Sequence, residues 1–100
     1  MTNIILEKND NTYRIEAEGH AEGSTTVCAA ISAIIYTVLG YLENFEEGAQ
    51  IIRSQIADGF ALIEFEGGEV ARAIFDLTCI GFLQIRKGRE QFVSLEIREK

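Results

Sequence analysis

The hydrophobic residues of this 100-residue chain switch their spacing from two to three-and-four, back to two, to three-and-four and finally to two again, an order that leaves few folds open. Ile4-Ile5-Leu6, the turn formers Asn9, Asp10 and Asn11, and then Tyr13, Ile15 and Ala17 alternating with Arg14, Glu16 and Glu18 predict a hairpin with one apolar and one wet face. From about Thr25 to Phe45 the apolar residues Val27, Ile31, Ile34, Ile35, Val38, Leu42 and Phe45 recur at helical spacing. Ile51 to Ile56 and Phe60 to Phe65 flank Asp58-Gly59, a dipeptide suited to the left-handed angles of a tight hairpin turn. After Gly67-Gly68 a second helical stripe runs through Val70, Ala73, Ile74, Leu77, Ile80, Leu83 and Ile85. Glu69 at its start and Arg86 and Lys87 near its end suit the helix dipole, and Gly88 suits a helix stop. Phe92 to Arg98 closes the chain as a strand with Val93, Leu95 and Ile97 on one face.

The predicted fold is therefore α+β, in the order strand-strand-helix-strand-strand-helix-strand, with one sheet of about five strands and two helices on one face. Residues 1–100 make a single domain, because no proline-rich or polar linker divides them. The two strand-strand-helix halves show no residue-level match, so no internal repeat is assigned. Arg53, Gln55, Glu64 and Glu66 fall on solvated strand positions. Phe60, Leu62 and Phe92 exceed what two helices cover, and an apolar remnant on the open sheet face favours a homodimer.

Composition removes several classes of function. Hydrophobic residues at 47% against 25% charged exclude disorder as the default state. A formal charge of −7 has the wrong sign for general attraction to nucleic acid or anionic lipid. The longest apolar stretch, Val27 to Leu42, falls short of the ~18–20 residues that span a bilayer, so a buried helix is expected instead. Two cysteines, with no signal peptide ahead of Ile4-Ile5-Leu6, point to a reducing cytoplasm. One histidine and two cysteines separated as Cys28 and Cys79 are match no zinc spacing, so neither metal nor cofactor is expected.

The chemistry is concentrated in Gly19 to Ser32, which joins the second strand to the first helix and holds the only histidine, His20. With Ser24 or Thr25 as N-cap, Cys28 falls in the first turn, where the positive end of the helix dipole favours thiolate, the nucleophilic form. A loop with Gly19 and Gly23 can fold back to bring the His20 imidazole to the sulfur. On spacing alone, a cysteine at a buried helix start is more often a small core residue, and a histidine in such a loop more often a surface residue. Cys79, among Leu77, Ile80 and Phe82 on the second helix, reads as core.

Gly19-His20-Ala21 followed by Val27-Cys28-Ala29-Ala30-Ile31-Ser32 resembles the central motif of the ribosomal-processing cysteine protease family, Prp. The resemblance implies a catalytic dyad of His20 and Cys28. It also implies a peptide substrate, the N-terminal extension of large-subunit ribosomal protein twenty-seven, cut after a small residue that follows aromatic ones, and a homodimeric state. In that mechanism His20 takes the Cys28 proton and later protonates the leaving amine, while amides near Val27 and Cys28 meet the charge on the carbonyl oxygen. Gly19 permits the close approach or positive φ that sets His20 in place. Ser32 matches the motif one turn after Cys28, where it orients the dyad, contacts substrate or bonds back to the Cys28 carbonyl. Glu22 reads as a carboxylate near His20 or as a solvated loop residue. The loop from His20 to Cys28 is shorter than is common in the family, with Thr25 where the family pattern has an aspartate. Three further readings fit the same residues: a divergent or phage-borne paralogue acting on a capsid or scaffold protein, a non-catalytic binding module, and a redox sensor built on Cys28.

Overall fold

In the computed structural model, which describes residues 1–21 and 23–100, the chain forms β1 (Thr2–Asn9), β2 (Thr12–Glu18), α1 (Thr25–Asn44), β3 (Ala49–Ala57), β4 (Phe60–Gly67), α2 (Glu69–Arg86) and β5 (Val93–Glu99). This is the expected α+β order. The five strands make one sheet in the order β3-β4-β2-β1-β5, antiparallel throughout except for the pairing of β1 with β5. Alternate residues of the inner strands form the core with both helices, among them Ile4, Leu6, Tyr13, Ile15, Ile63 and Phe65. Tyr13 sits between two aromatic rings, its centroid 5.3 Å from Phe65 on the neighbouring strand and 5.1 Å from Phe75 on α2.

Ser24 caps α1, its hydroxyl accepting the Val27 N–H at 3.2 Å, and the helix buries Val27, Ile31, Ile35, Val38 and Leu42 on the expected stripe. At twenty residues the helix outruns its apolar stretch, and by length and a mean hydropathy of 1.8 it is apolar enough to cross a membrane. The length argument from sequence is corrected accordingly. What identifies α1 as a core helix is that its most apolar stripe lies against the sheet.

The buried stripe of α2 is a different one from that predicted. Ala71, Phe75, Thr78 and Phe82 pack inward, while Leu77, Ile80 and Leu83 are 69%, 55% and 42% exposed. Opposite a side that carries Glu69, Arg72 and Asp76, the apolar residues of α2 spread over two adjoining faces, and the one carrying two phenylalanine rings buries more area. Thr78 resolves its buried hydroxyl by donating to the Ile74 carbonyl at 2.7 Å.

The open face of the sheet also departs from expectation. Across it the register aligns Arg98, Glu7, Arg14, Glu64 and Arg53, one residue from each strand with alternating sign. Arg53 and Arg14 both approach Glu64, and the Lys100 Nζ lies 2.9 Å from Glu7. Leu62, flanked in register by Glu16 and Gln55, is buried, and Phe60 and Phe92 are half-buried. An apolar remnant is therefore not what this face presents. Exposed apolar side chains are more numerous on the helices, Tyr36 and Tyr41 on α1 and Leu77, Ile80 and Leu83 on α2, with Ile52 and Ile56 on β3 and Ile97 on β5 exposed as well.

Two irregularities position the end of the sheet where β2 runs into α1. In β3, Ile51 pairs with Phe65 and Arg53 with Glu64, so Ile52 is an extra residue and the bulge turns Ile56 to the helix side. At the exit of β2, Gly19 has φ +92°, and its N–H donates to the Gly59 carbonyl at 2.8 Å. A Cβ there would lie 2.6 Å from the Met1 carbonyl oxygen, so only glycine fits.

Gly19→Ala is expected to lower stability by about 1–3 kcal/mol through strain and that clash, measured by urea denaturation; an unchanged midpoint would show that the strand exit relaxes freely. Glu7 is held below its ordinary 4.5 chiefly by Lys100, with Arg98 and Arg14 adding to the effect. Its stabilising contribution is thus present above that ordinary value and lost as pH falls through the lower folded-state one. Glu7→Gln should flatten the loss of stability on acidification, and a curve parallel to that of the native protein would refute the assignment.

Candidate active site

The end of β2, the N-terminal half of α1 and the β3-β4 turn enclose a pocket of about 340 Å³. His20 enters it from the strand exit, Cys28 and Ser32 from α1, and Asp58 from the turn, while Tyr36, Ile56 and Phe60 supply apolar wall. The bulge at Ile52 is the reason Ile56 belongs to this wall, since unbroken alternation would turn it to the open face.

Cys28 is half-buried, one turn into α1. Its thiol donates to the Ala21 carbonyl at 3.7 Å, and the same carbonyl accepts the Ser24 N–H at 3.0 Å. Ala21 is only 2% exposed, so a buried residue anchors the loop between strand and helix. The imidazole turns the other way: Nε2 of His20 lies 3.8 Å from the Asp58 carboxylate, and the ring rests against Gly59. Among the described residues no hydrogen bond joins His20 to Cys28, although both side chains line the same pocket.

The amides expected to receive an oxyanion are engaged in this conformation. The Val27 N–H donates to the Ser24 hydroxyl at 3.2 Å and the Cys28 N–H to the Ser24 carbonyl at 3.3 Å. Ser32 is exposed and lines the pocket, and among the described residues its hydroxyl makes no bond back to Cys28. Thr37 and Thr78, by contrast, do bond back to carbonyls four residues earlier. Glu22, read from sequence as a carboxylate near His20, lies outside the described residues. Cys79 is the other free thiol, half-buried on α2, and burial together with Asp76 pushes it up to about 11. Among the described residues no group of three His, Cys, Asp or Glu side chains comes together to hold a metal ion.

Sequence reasoning missed Asp58, Tyr36 and Ile56 as pocket residues. Asp58-Gly59 was legible only as a turn, of which Gly59 alone takes a positive φ. Nothing local says that this turn closes over His20. The information lies in the pairing of Glu18 with Phe60, which sets the strand exit beside the turn.

No curated protein matches the chain. Among solved structures, SMU.848 from Streptococcus mutans is 18% identical and superposes with a TM-score of 0.76, covering 100% of this chain and 99% of that one. The essential ribosomal processing protease Prp from S. aureus, solved with a covalently linked product peptide, is 16% identical with a TM-score of 0.78, covering 97% and 99%. The same protein with a substrate peptide gives a TM-score of 0.76 at the same identity and coverage. These likenesses show a shared fold. The sequence profile of the cysteine protease Prp matches residues 1–94, nearly the whole length, and on that match the chain belongs to the Prp family of cysteine proteases.

Proposed function

We propose that this protease uses Cys28 as nucleophile and His20 as general base and acid, and that in the cytoplasm it removes the N-terminal extension of large-subunit ribosomal protein twenty-seven. The observation that carries the reading is that the sole histidine and the helix-start cysteine line one pocket in a chain of a cysteine protease family. The S. aureus relative, a ribosomal processing protease held with substrate and product peptides, supports the choice of substrate.

In this mechanism the thiol leaves the Ala21 carbonyl and gives its proton to His20, and the sulfur forms a bond to the scissile carbonyl carbon. His20 protonates the amine as the C–N bond breaks; water then attacks the thioester carbon, giving a proton to His20, and the C–S bond breaks to release the acid product as His20 returns that proton to the sulfur. Ser32, one turn further along α1, lines the same pocket and in this reading contacts the peptide backbone. The oxyanion requires amides released from the Ser24 cap, so loosening of the first turn accompanies substrate binding.

Mass spectrometry of a peptide matching the ribosomal extension tests the reading. The native protein should cut it, Cys28→Ala should abolish cutting, and His20→Ala should slow it by roughly 10²–10⁴-fold. Iodoacetamide should label Cys28 well ahead of Cys79, whose thiol, raised to about 11, stays protonated at neutral pH. Cutting that survives Cys28→Ala would reject the nucleophile. Selective, His20-dependent labelling without cutting would keep the dyad and reject the ribosomal substrate.

A homodimer belongs to the same proposal, but through the outward helix faces instead of the open sheet face. No charged residue occurs in α1 from Thr25 to Leu42, although Ala33, Tyr36, Thr37 and Tyr41 are exposed, and Leu77, Ile80 and Leu83 extend the apolar surface onto α2. Sedimentation velocity should show a dimer that Leu77→Glu with Ile80→Glu converts to a folded monomer; a native monomer at micromolar concentration would exclude it.

A further inference from the structure

A cysteine protease histidine works best when one ring nitrogen is held as a donor, leaving the other free to take the thiol proton. In this chain the fold offers His20 a carboxylate for that purpose, on a turn that sequence reasoning assigned no chemistry. Nε2 faces Asp58 Oδ1 at 3.8 Å, an ion-pair distance that a small side-chain rotation shortens to a hydrogen bond. The turn cannot drift away from the imidazole, because its Gly59 carbonyl accepts the N–H of Gly19, the residue just before His20. Nor does anything separate the two: a Cβ on Gly59 would lie 2.9 Å from Nε2, so the glycine is what lets the ring lie against the turn.

We infer that Asp58 is a positioning residue for His20, accepting the Nε2 proton and leaving Nδ1 to take the proton of Cys28. The inference rests on the His20 and Cys28 reading above. Asp58 and His20 are both open to solvent in the absence of peptide, the carboxylate fully so, and an ion pair in that state is weak. Both line the pocket, so a peptide seated there covers them and strengthens their attraction by excluding water. The carboxylate then also stabilises the imidazolium formed when the thiolate is generated.

The charges around the imidazole make the effect separable. Besides His20, the titratable side chains lining the pocket are Asp58 on the turn and Cys28 and Tyr36 on α1. Glu18, the last residue of β2, is in register with Phe60 on the open face, and the uncharged Met1 carbonyl flanks the strand exit. Asp58 is thus the carboxylate of the pocket lining. Asp58→Asn removes its charge and keeps the turn, since Asn-Gly suits a two-residue hairpin loop as well as Asp-Gly does.

The experiment compares native protein, Asp58→Asn, Asp58→Glu and His20→Ala in two ways. The first is the pH profile of kcat and KM on the ribosomal peptide; the second is the ring-nitrogen NMR signal of His20, which is unambiguous because the chain has one histidine. In Asp58→Asn, kcat should fall about three- to tenfold with KM nearly unchanged. The acid limb of its profile, set by protonation of the general base, should move to lower pH, and the Nε2-protonated tautomer that dominates in the neutral native imidazole should give way to a mixture. Asp58→Glu should restore most of the kcat. Native kcat, pH limb and tautomer in Asp58→Asn, with His20→Ala still inactive, would overturn the role of Asp58 and leave the dyad standing. Full activity in His20→Ala would remove the dyad, and the proposed role of Asp58 with it.

Discussion

The antiparallel pairing of β2 with β4 is the constraint on which the site depends. Its register, Glu18 with Phe60 at one end and Thr12 with Glu66 at the other, brings the exit of β2 and the β3-β4 turn to the same edge of the sheet. Gly19 then reaches Gly59 with a backbone hydrogen bond, and His20 emerges against the turn. A slip of one residue would exchange the faces of β2 and expose Tyr13, Ile15 and Ala17. The apolar core that forbids the slip therefore also fixes the histidine. Stability and chemistry are coupled here through register, and directly through the core residues Ala17, Ile31, Ile35 and Ala61, which also line the pocket.

The cysteine is fixed by a different device. Ser24 ends the loop and starts the helix, and the stripe from Val27 to Leu42 sets the rotation of α1 on the sheet. With Val27 and Ile31 committed to the core, Cys28 and Ser32 must project to the side of the helix next to them, where the pocket opens. Both site residues thus sit one position after a residue with a structural duty: His20 after Gly19, and Cys28 after Val27. Of the two proposed reactive groups, Cys28 is carried by α1 and His20 stands just beyond the end of β2.

Most of the element order was legible because each segment had a single hydrophobic period. Tyr13, Ile15 and Ala17 could face only one way, and the stripe of α1 emerged with five of its seven proposed members buried. Legibility failed where the pattern was degenerate. On α2 the residues Leu77, Ile80 and Leu83 fit a helical face as well as Phe75 and Phe82 do, and packing chose the larger rings. In β3 the extra residue Ile52 reverses the alternation, and no turn former or glycine marks it in the sequence. His20 and Cys28 could be found because they are rare residue types in a recognisable motif. Asp58 could not, because an aspartate before a glycine at a hairpin turn needs no other explanation.

His20 and Cys28, the proposed reactive groups, are held by different partners at the two ends of the loop, and in that proposal this sets what substrate binding has to accomplish. The Ala21 carbonyl ties the thiol of Cys28 to the loop, while the Asp58 side of the pocket holds the imidazole of His20. Neither tie is strong: the first is a long thiol hydrogen bond and the second a solvent-exposed pair. A peptide that enters between them displaces water from both and offers its own backbone groups to the Ser24 cap region. In the proposed mechanism, catalytic competence is therefore reached by exchanging weak resting contacts for contacts to the substrate. That exchange is local, so it leaves the sheet register and the core stripe of α1 undisturbed.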